Sequence, residues 1–231
     1  MSQPRTSIHG SPRSVIPWEQ IDTVLVDMDG TLLDLAFDNF FWLELVPSYY
    51  AKQHRLSESG AREELLARYR ALEGSLAWYC IDYWSEDLEL DIRAMKREHR
   101  HRIQFLPQAT AFLASVRRRH KRLVLVTNAH PDTLAIKIEQ TGLDRHVHGV
   151  VSSHQFDAPK ETREFWDRFQ AGEGFDPPRT VLIEDSMAVL QAAREFGVGS
   201  TVAIRRPDSR HPPREIDRFP AVDGVHELTG S

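Results

Sequence analysis

Residues 23–34 read TVLVDMDGTLLD and admit few folds. Thr23 to Val26 form a β-branched and apolar run with the character of a buried strand. The run ends on two carboxylates one residue apart, Asp27 and Asp29, followed by Gly30 and Thr31. A buried strand stops where its charges begin, so both acids belong at its carboxyl end. In open α/β sheets that edge is where ligands bind. A D-x-D-G turn can also simply close a strand. A calcium loop fits worse. Counted from Asp27, the fifth, sixth and twelfth positions hold Thr31, Leu32 and Asp38, where an EF-hand needs an acid or Asn, then Gly, then Glu. A strand also precedes the motif rather than a helix.

Past Asp34 the rhythm changes. Phe37, Phe40, Phe41 and Leu45 recur at spacings of three and four, one helical face, and Pro47 should stop or kink that helix. Further helical patterns cover 57–73, with Ser57 able to cap the start, then Leu76 to Trp84, then 91–103. Residues 35–104 therefore read as a helical insertion without a strong strand. From Pro107 strands and helices alternate. Buried-type strands are expected at 123–126, 147–152, 180–183 and 200–204, with helices between them at 107–120, 131–140, through Phe165 to Phe169, and 187–196. Such alternation implies an α/β fold, a Rossmann-like parallel sheet with right-handed crossovers. The expected division is a flexible tail at 1–17, a core of 18–34 and 105–206, the helical block 35–104, and a C-terminal surface segment at 207–231.

The composition removes several classes of function. A net charge of −5 argues against a nucleic-acid partner held by a basic surface. Cys80 is the single cysteine, so no intrachain disulfide forms, as suits a reducing compartment. No apolar run approaches the ~20 residues of a membrane helix, and residues 1–17 lack the apolar core of a secretory signal. A cytoplasmic protein with no membrane partner is expected.

Polar residues stand at four strand or loop ends: Asp27 with Asp29, Thr127 with Asn128, Lys160, and Glu184 with Asp185. Each alone has an ordinary explanation as a turn residue, a cap or a solvated charge. Together, on the carboxyl edge of one parallel sheet, they form a reaction centre. Asp27 and Asp185 offer the hard oxygen donors that Mg²⁺ prefers. The cation would offset repulsion between a carboxylate nucleophile and an anionic phosphate. Asp27 can attack phosphorus to give an aspartyl-phosphate, and Asp29 can protonate the leaving oxygen and later take a proton from water. The Thr127 hydroxyl and the Lys160 ammonium can bind phosphoryl oxygens as charge develops.

These motifs resemble those of the haloacid dehalogenase (HAD) superfamily of hydrolases. Asp27-Met28-Asp29-Gly30-Thr31 is similar to its D-x-D-G-T motif, Thr127 to the second motif, Lys160 to the third, and Glu184-Asp185 to the fourth in its E-D form. The resemblance implies that the Asp29 carbonyl also binds the metal, with Asp185 a direct ligand and Glu184 acting through water. It also implies that 35–104 is a C1-type cap. Within the superfamily, Asp29 separates the chain from the dehalogenases and Met28 from the P-type ATPases. Asn39 stands where sugar phosphomutases would place His. A phosphonatase would need a cap lysine, and Lys52, the only lysine between residues 35 and 95, has neighbours that look exposed. Phosphomonoester hydrolysis remains.

The stretches DMDGTLLDLAFDNFFW, WYCIDYWSE and TNAHPDTLA resemble the bacterial GMP/IMP 5′-nucleotidase branch. That resemblance implies a purine nucleoside monophosphate as the small-molecule partner. The expected substrate contacts are Asn128, Asn39, Trp42 and Trp78, because an aromatic cap can stack on a base. The rivals are a HAD phosphatase for phosphoglycolate or a sugar phosphate, and a catalytically silent HAD-like binding protein.

Overall fold

The structure, a computed structural model, describes residues 15–229. The expected N-terminal tail lies outside the described residues up to position 14. Within them, Ile16 is already fully buried in the core, so the ordered chain begins before residue 18.

Six strands form one parallel sheet in the order β3-β2-β1-β4-β5-β6. They are β1 (Thr23–Val26), β2 (Arg122–Thr127), β3 (Gly149–Ser152), β4 (Thr180–Glu184), β5 (Ser200–Ile204) and β6 (Ala221–Val222). The chain runs outward from β1 through β2 to β3, then returns to the other side of β1 for β4 to β6. The order therefore reverses beside β1, and a ligand crevice opens at such a switch point. Register levels the strand ends. Val26 stands opposite Leu125 on one side and Ile183 on the other, so the next residue, Asp27, is level with Glu184, and Thr127 lies one position further on.

Alternate strand residues face opposite layers, as the period of two requires. Val24, Val26, Leu123 and Leu125 pack with residues of α7 (Ala109–Arg118) and α8 (Pro131–Thr141). Leu25, Val124 and Val126 pack with α9 (Arg163–Glu173) and α10 (Met187–Phe196). Both faces are covered, which is why the strands read as continuous apolar runs.

The helical block comprises α1 (Ala36–Phe40), α2 (Val46–His54), α3 (Glu58–Leu72), α4 (Leu76–Tyr79), α5 (Ile81–Leu88) and α6 (Ile92–Glu98). Pro47 does not stop the first of these. A π-turn, Phe41–Leu45, joins α1 to α2 without a break, and its wider winding lies where a proline ring would crowd the preceding turn. Ser57 caps α3 as expected, accepting from the Gly60 N–H at 3.1 Å. Exit and return of the block lie side by side, since Asp34 N–H donates to the Gln104 carbonyl at 2.9 Å and Leu106 N–H to the Leu32 carbonyl at 2.8 Å.

The C-terminal segment differs most from expectation. Residues 207–231 are not only surface: β6 completes the sheet beside β5, and Phe219, Val222, Val225 and Leu228 are buried. The prolines and charges of 206–220 masked this, because the apolar residues behind them are too few to show a period.

Candidate active site

Asp27 follows β1 directly, and its N–H donates to the Ile183 carbonyl at 3.0 Å, continuing the ladder by one bond. The loop then turns back on itself through Met28, whose carbonyl accepts from Leu32 and Leu33. Gly30 holds φ +79°, and a Cβ there would lie 2.8 Å from both the Asp185 carboxyl carbon and Pro207. Glycine at this position admits the turn and lets Asp185 approach.

Lys160 is buried at the centre of the cluster. Its ammonium donates to Asp27 Oδ1 at 2.5 Å, Glu184 Oε2 at 2.7 Å and the Val126 carbonyl at 3.0 Å. Three acceptors satisfy its three donors, which fixes the side chain without reference to substrate. Glu184 Oε1 accepts from the N–H groups of Asp185 and Ser186 at 3.1 and 3.0 Å. Both Glu184 oxygens thus serve to hold the loop, whereas the Asp185 carboxylate has Arg214 Nη2 as its ion-pair partner, 3.7 Å away.

Asp27, Glu184 and Asp185 each offer an oxygen within 4.8 Å of the others. Burial and the Glu184 carboxylate push Asp27 up to about 8, against the pull of Lys160. Burial, opposed by Lys160 and helped by Asp185, lifts Glu184 to about 7; burial and Asp27 do the same for Asp185. Three crowded carboxylates share one central ammonium. The excess negative charge and the all-oxygen donor set fit a hard divalent cation. A second acid–histidine group, Asp82, His130 and Asp132, differs because the Arg93 guanidinium already donates to both of its carboxylates.

Thr127 ends β2, is buried, and accepts from the Ala129 N–H at 3.0 Å, leaving its hydroxyl hydrogen uncommitted. Asn128 accepts from the Lys160 N–H at 2.9 Å and donates to Glu161 Oε2 at 2.9 Å. Glu161 Oε1 in turn accepts from the Tyr79 hydroxyl at 2.6 Å. One carboxylate therefore bridges the sheet edge and the helical block.

A cavity of about 550 Å³ opens over this edge. Asp27, Asp29, Thr127, Asn128, Lys160 and Asp185 line its floor; Trp42, Tyr69, Trp78 and Tyr79 line the facing wall. Every residue expected at the site thus borders one space. Asn39 does too, but its amide N–H is held by Asp208 at 2.8 Å, and Trp42 also packs edge-on against Tyr69 at 5.7 Å.

A family model described as haloacid dehalogenase-like hydrolase matches residues 21–197. The chain belongs to that family. This hydrolase is also 41% identical over 216 residues to a protein named GMP/IMP nucleotidase YrfG from Escherichia coli, covering 94% of this chain and 97% of that one, and equally to its Shigella flexneri counterpart. Among solved structures, a HAD phosphatase from Thermococcus onnurineus superposes with a TM-score of 0.74 at 21% identity, covering 90% of this chain and 96% of that one. The Bacillus subtilis HAD hydrolase YfnB, solved with magnesium bound, gives 0.62 at 18% identity, covering 90% and 96%. At such identities the solved structures speak for the fold.

The hydrolase also holds groups that sequence reading missed. Lys137 of α8 donates to Asp29 Oδ1 and to Asp38 Oδ2, both at 2.6 Å, and Lys96 of α6 donates to Asp38 Oδ1 at 3.2 Å. Burial lifts Asp29 above the usual carboxylate range although Lys137 pulls the other way. Burial pushes Lys96 down. Lys52 is exposed, as expected, but Lys96, just beyond residue 95, is buried and borders the cavity. The available signal was register, because Lys96 follows Met95 on the face of Ile92, and Lys137 falls among Thr133, Leu134 and Ile136. Arg214 left no signal, since only folding brings it to the Asp185 carbonyl, 2.7 Å away.

Proposed function

We propose that this hydrolase is a Mg²⁺-dependent phosphomonoesterase working through an aspartyl-phosphate on Asp27, with purine nucleoside 5′-monophosphates, GMP and IMP foremost, as substrates. The observation that carries the reading is the 41% identity to a GMP/IMP nucleotidase along nearly the whole chain. The intact set of Asp27, Asp29, Thr127, Lys160 and Asp185 around one cavity supports it. The helical block 35–104 acts as the cap, and the single cysteine favours a cytoplasmic setting.

Asp27 is the nucleophile. Lys160 holds its Oδ1, which orients the carboxylate and leaves Oδ2 for attack on phosphorus. The Thr127 hydroxyl, free to donate, faces the phosphoryl oxygens, and the Lys160 ammonium, its three donors engaged, acts on them through its charge. Asp29 gives a proton to the leaving 5′-oxygen and takes one from the water that cleaves the aspartyl-phosphate; Lys137 fixes it in place meanwhile. Asp27 and Asp185, with the Asp29 carbonyl, would hold Mg²⁺, which supplies the positive charge that lets a carboxylate approach a phosphate dianion. Asn128 acts by orienting Lys160 and Glu161, since both ends of its amide are engaged.

Asp27→Asn should lower Mg²⁺-dependent phosphate release from GMP by at least ~10⁴-fold; activity near the parent level would refute the nucleophile. A panel of GMP, IMP, phosphoglycolate and hexose phosphates tests the substrate, and equal or better turnover of the non-nucleotides would overturn the purine assignment.

A further inference from the structure

We propose that Arg70 and Glu73 form a base-reading subsite at the helical end of the cavity, with Glu73 accepting from the N1–H and 2-amino group of guanine and Arg70 donating to its O6 and N7. This inference rests on the purine nucleotide reading and extends it to the residues that choose among bases.

The argument starts from which cavity charges are spoken for. The carboxylates and lysines at the sheet end are paired with one another, as described above. Glu161 is held by Tyr79 and Asn128, and His130 lies 3.5 Å from Asp82. Arg70 and Glu73 also line the cavity. Both are exposed, and neither side chain has a hydrogen bond, an ion pair or a ring contact with a described residue, including each other. One cation and one anion, three residues apart, are thus the charged groups of the cavity left without a partner.

Their placement follows from the chain. Arg70 sits in the last turn of α3 and Glu73 is the residue that ends it, extended at φ −50° and ψ 131°. Gly74 then adopts φ +80°, a conformation that suits glycine. The chain reverses there, and Trp78 of α4 comes to the same cavity as Glu73. Trp42, Tyr69 and Trp78 supply flat apolar surface to the same cavity. A cavity of about 550 Å³ is in the usual range of small-ligand sites, roughly 300–1,000 Å³.

The chemistry of the pair is complementary to one base. A carboxylate only accepts and a guanidinium only donates. Guanine presents two adjacent donors, N1–H and the 2-amino group, beside two acceptors, O6 and N7. Hypoxanthine keeps N1–H, O6 and N7 but lacks the amino group, so Glu73 loses one bond. Adenine sets its 6-amino donor against Arg70 and its bare N1 against Glu73, a mismatch at both ends. A site that hydrogen-bonds its substrate rejects an analogue that leaves those groups unpaired. The pair therefore ranks GMP above IMP and both far above AMP.

The test measures kcat and KM for GMP, IMP and AMP with the full-length, Mg²⁺-loaded protein and its Glu73→Gln, Glu73→Asp and Arg70→Met variants. Glu73→Gln should lower kcat/KM for GMP by about 10- to 100-fold, the scale of a hydrogen bond to a charged group, chiefly through KM. IMP should lose less, and AMP should lose nothing or gain. Glu73→Asp should recover part of the GMP loss, and Arg70→Met should weaken GMP and IMP together. Equal losses for all three nucleotides, or unchanged ratios among them, would overturn the proposal. Both side chains are exposed, so circular dichroism should show an unaltered fold. Ribose 5-phosphate separates the two levels. If the parent enzyme turns it over as well as GMP, the nucleotide reading itself fails. If GMP stays preferred and both replacements preserve that preference, only the base-reading role fails.

Discussion

The two ends of the cavity are built by opposite rules. At the sheet end, Lys160 touches Asp27, Glu184 and a strand carbonyl at 2.5–3.0 Å, every member is buried, and each is attached to or close behind a strand. At the helical end, Arg70 and Glu73 are exposed and their side chains unpaired, and aromatic side chains of the helical block line the wall. Buried ion pairs contribute little net stability yet cost much to break. They fix geometry. Exposed, unpaired charges cost little to move, and they suit the task of accepting one leaving group and refusing another. The proposed roles thus put chemistry at the rigid edge and selection at the adaptable wall.

Removing the centre of the rigid end should produce the largest effect. Lys160→Met leaves Asp27 and Glu184 facing each other without their shared cation. A stability loss of roughly 3–5 kcal/mol is expected, measured by urea unfolding, together with near-complete loss of turnover. A loss below ~1 kcal/mol would mean that the buried cluster relaxes as easily as a surface pair.

A smaller effect, with a defined sign, comes from pH. Asp27, Glu184 and Asp185 have folded-state pKa values near 8, 7 and 7, above their ordinary values. Between the unfolded and folded values the native state holds protons that the unfolded chain has released. Stability of the metal-free protein should therefore fall as pH rises from about 4 to about 8. Mg²⁺ needs these groups ionised, so its thermal stabilisation should be larger at about pH 8 than at about pH 5.5. A melting temperature that rises across that window without metal would contradict the crowding of the three acids.

The smallest effect should come from the connection between the two ends. Tyr79→Phe removes the hydroxyl that reaches Glu161, and a cost of about 1 kcal/mol is expected, seen as a several-fold rise in KM with kcat little changed. A fall in kcat alone would place Tyr79 with the rigid end instead.

The sheet edge was readable because all of its residues but Lys160 end or closely follow a strand, and strands announce themselves by local apolar runs. Asp27, Thr127 and Glu184 could be placed on one line before their register was known. The wall was harder. Aromatic residues at 37–84 mark a helical core as readily as a ligand surface, and Trp42 both packs on Tyr69 and borders the cavity. Lys137 and Lys96 carried a faint signal, a charge in a buried register, that periodicity treats as an exception. Glu161 and Arg214 carried none, because their partners lie 82 and 29 residues away in sequence and local patterns do not encode such distances.

The C-terminal segment carries one more consequence. Pro207 packs on Gly30 and its carbonyl accepts from Leu35, Ser209 N–H donates to Asp34, and Arg214 donates to the Asp185 carbonyl. During synthesis Asp27 leaves the ribosome early and these residues well after it. A chain stopped at residue 206 would contain Asp27, Asp29, Thr127, Lys160 and Asp185 but lack these contacts to Gly30, Asp34 and Asp185. In the order of translation, Asp27, Thr127, Lys160 and Glu184 all precede the segment that packs against Gly30, Asp34 and Asp185.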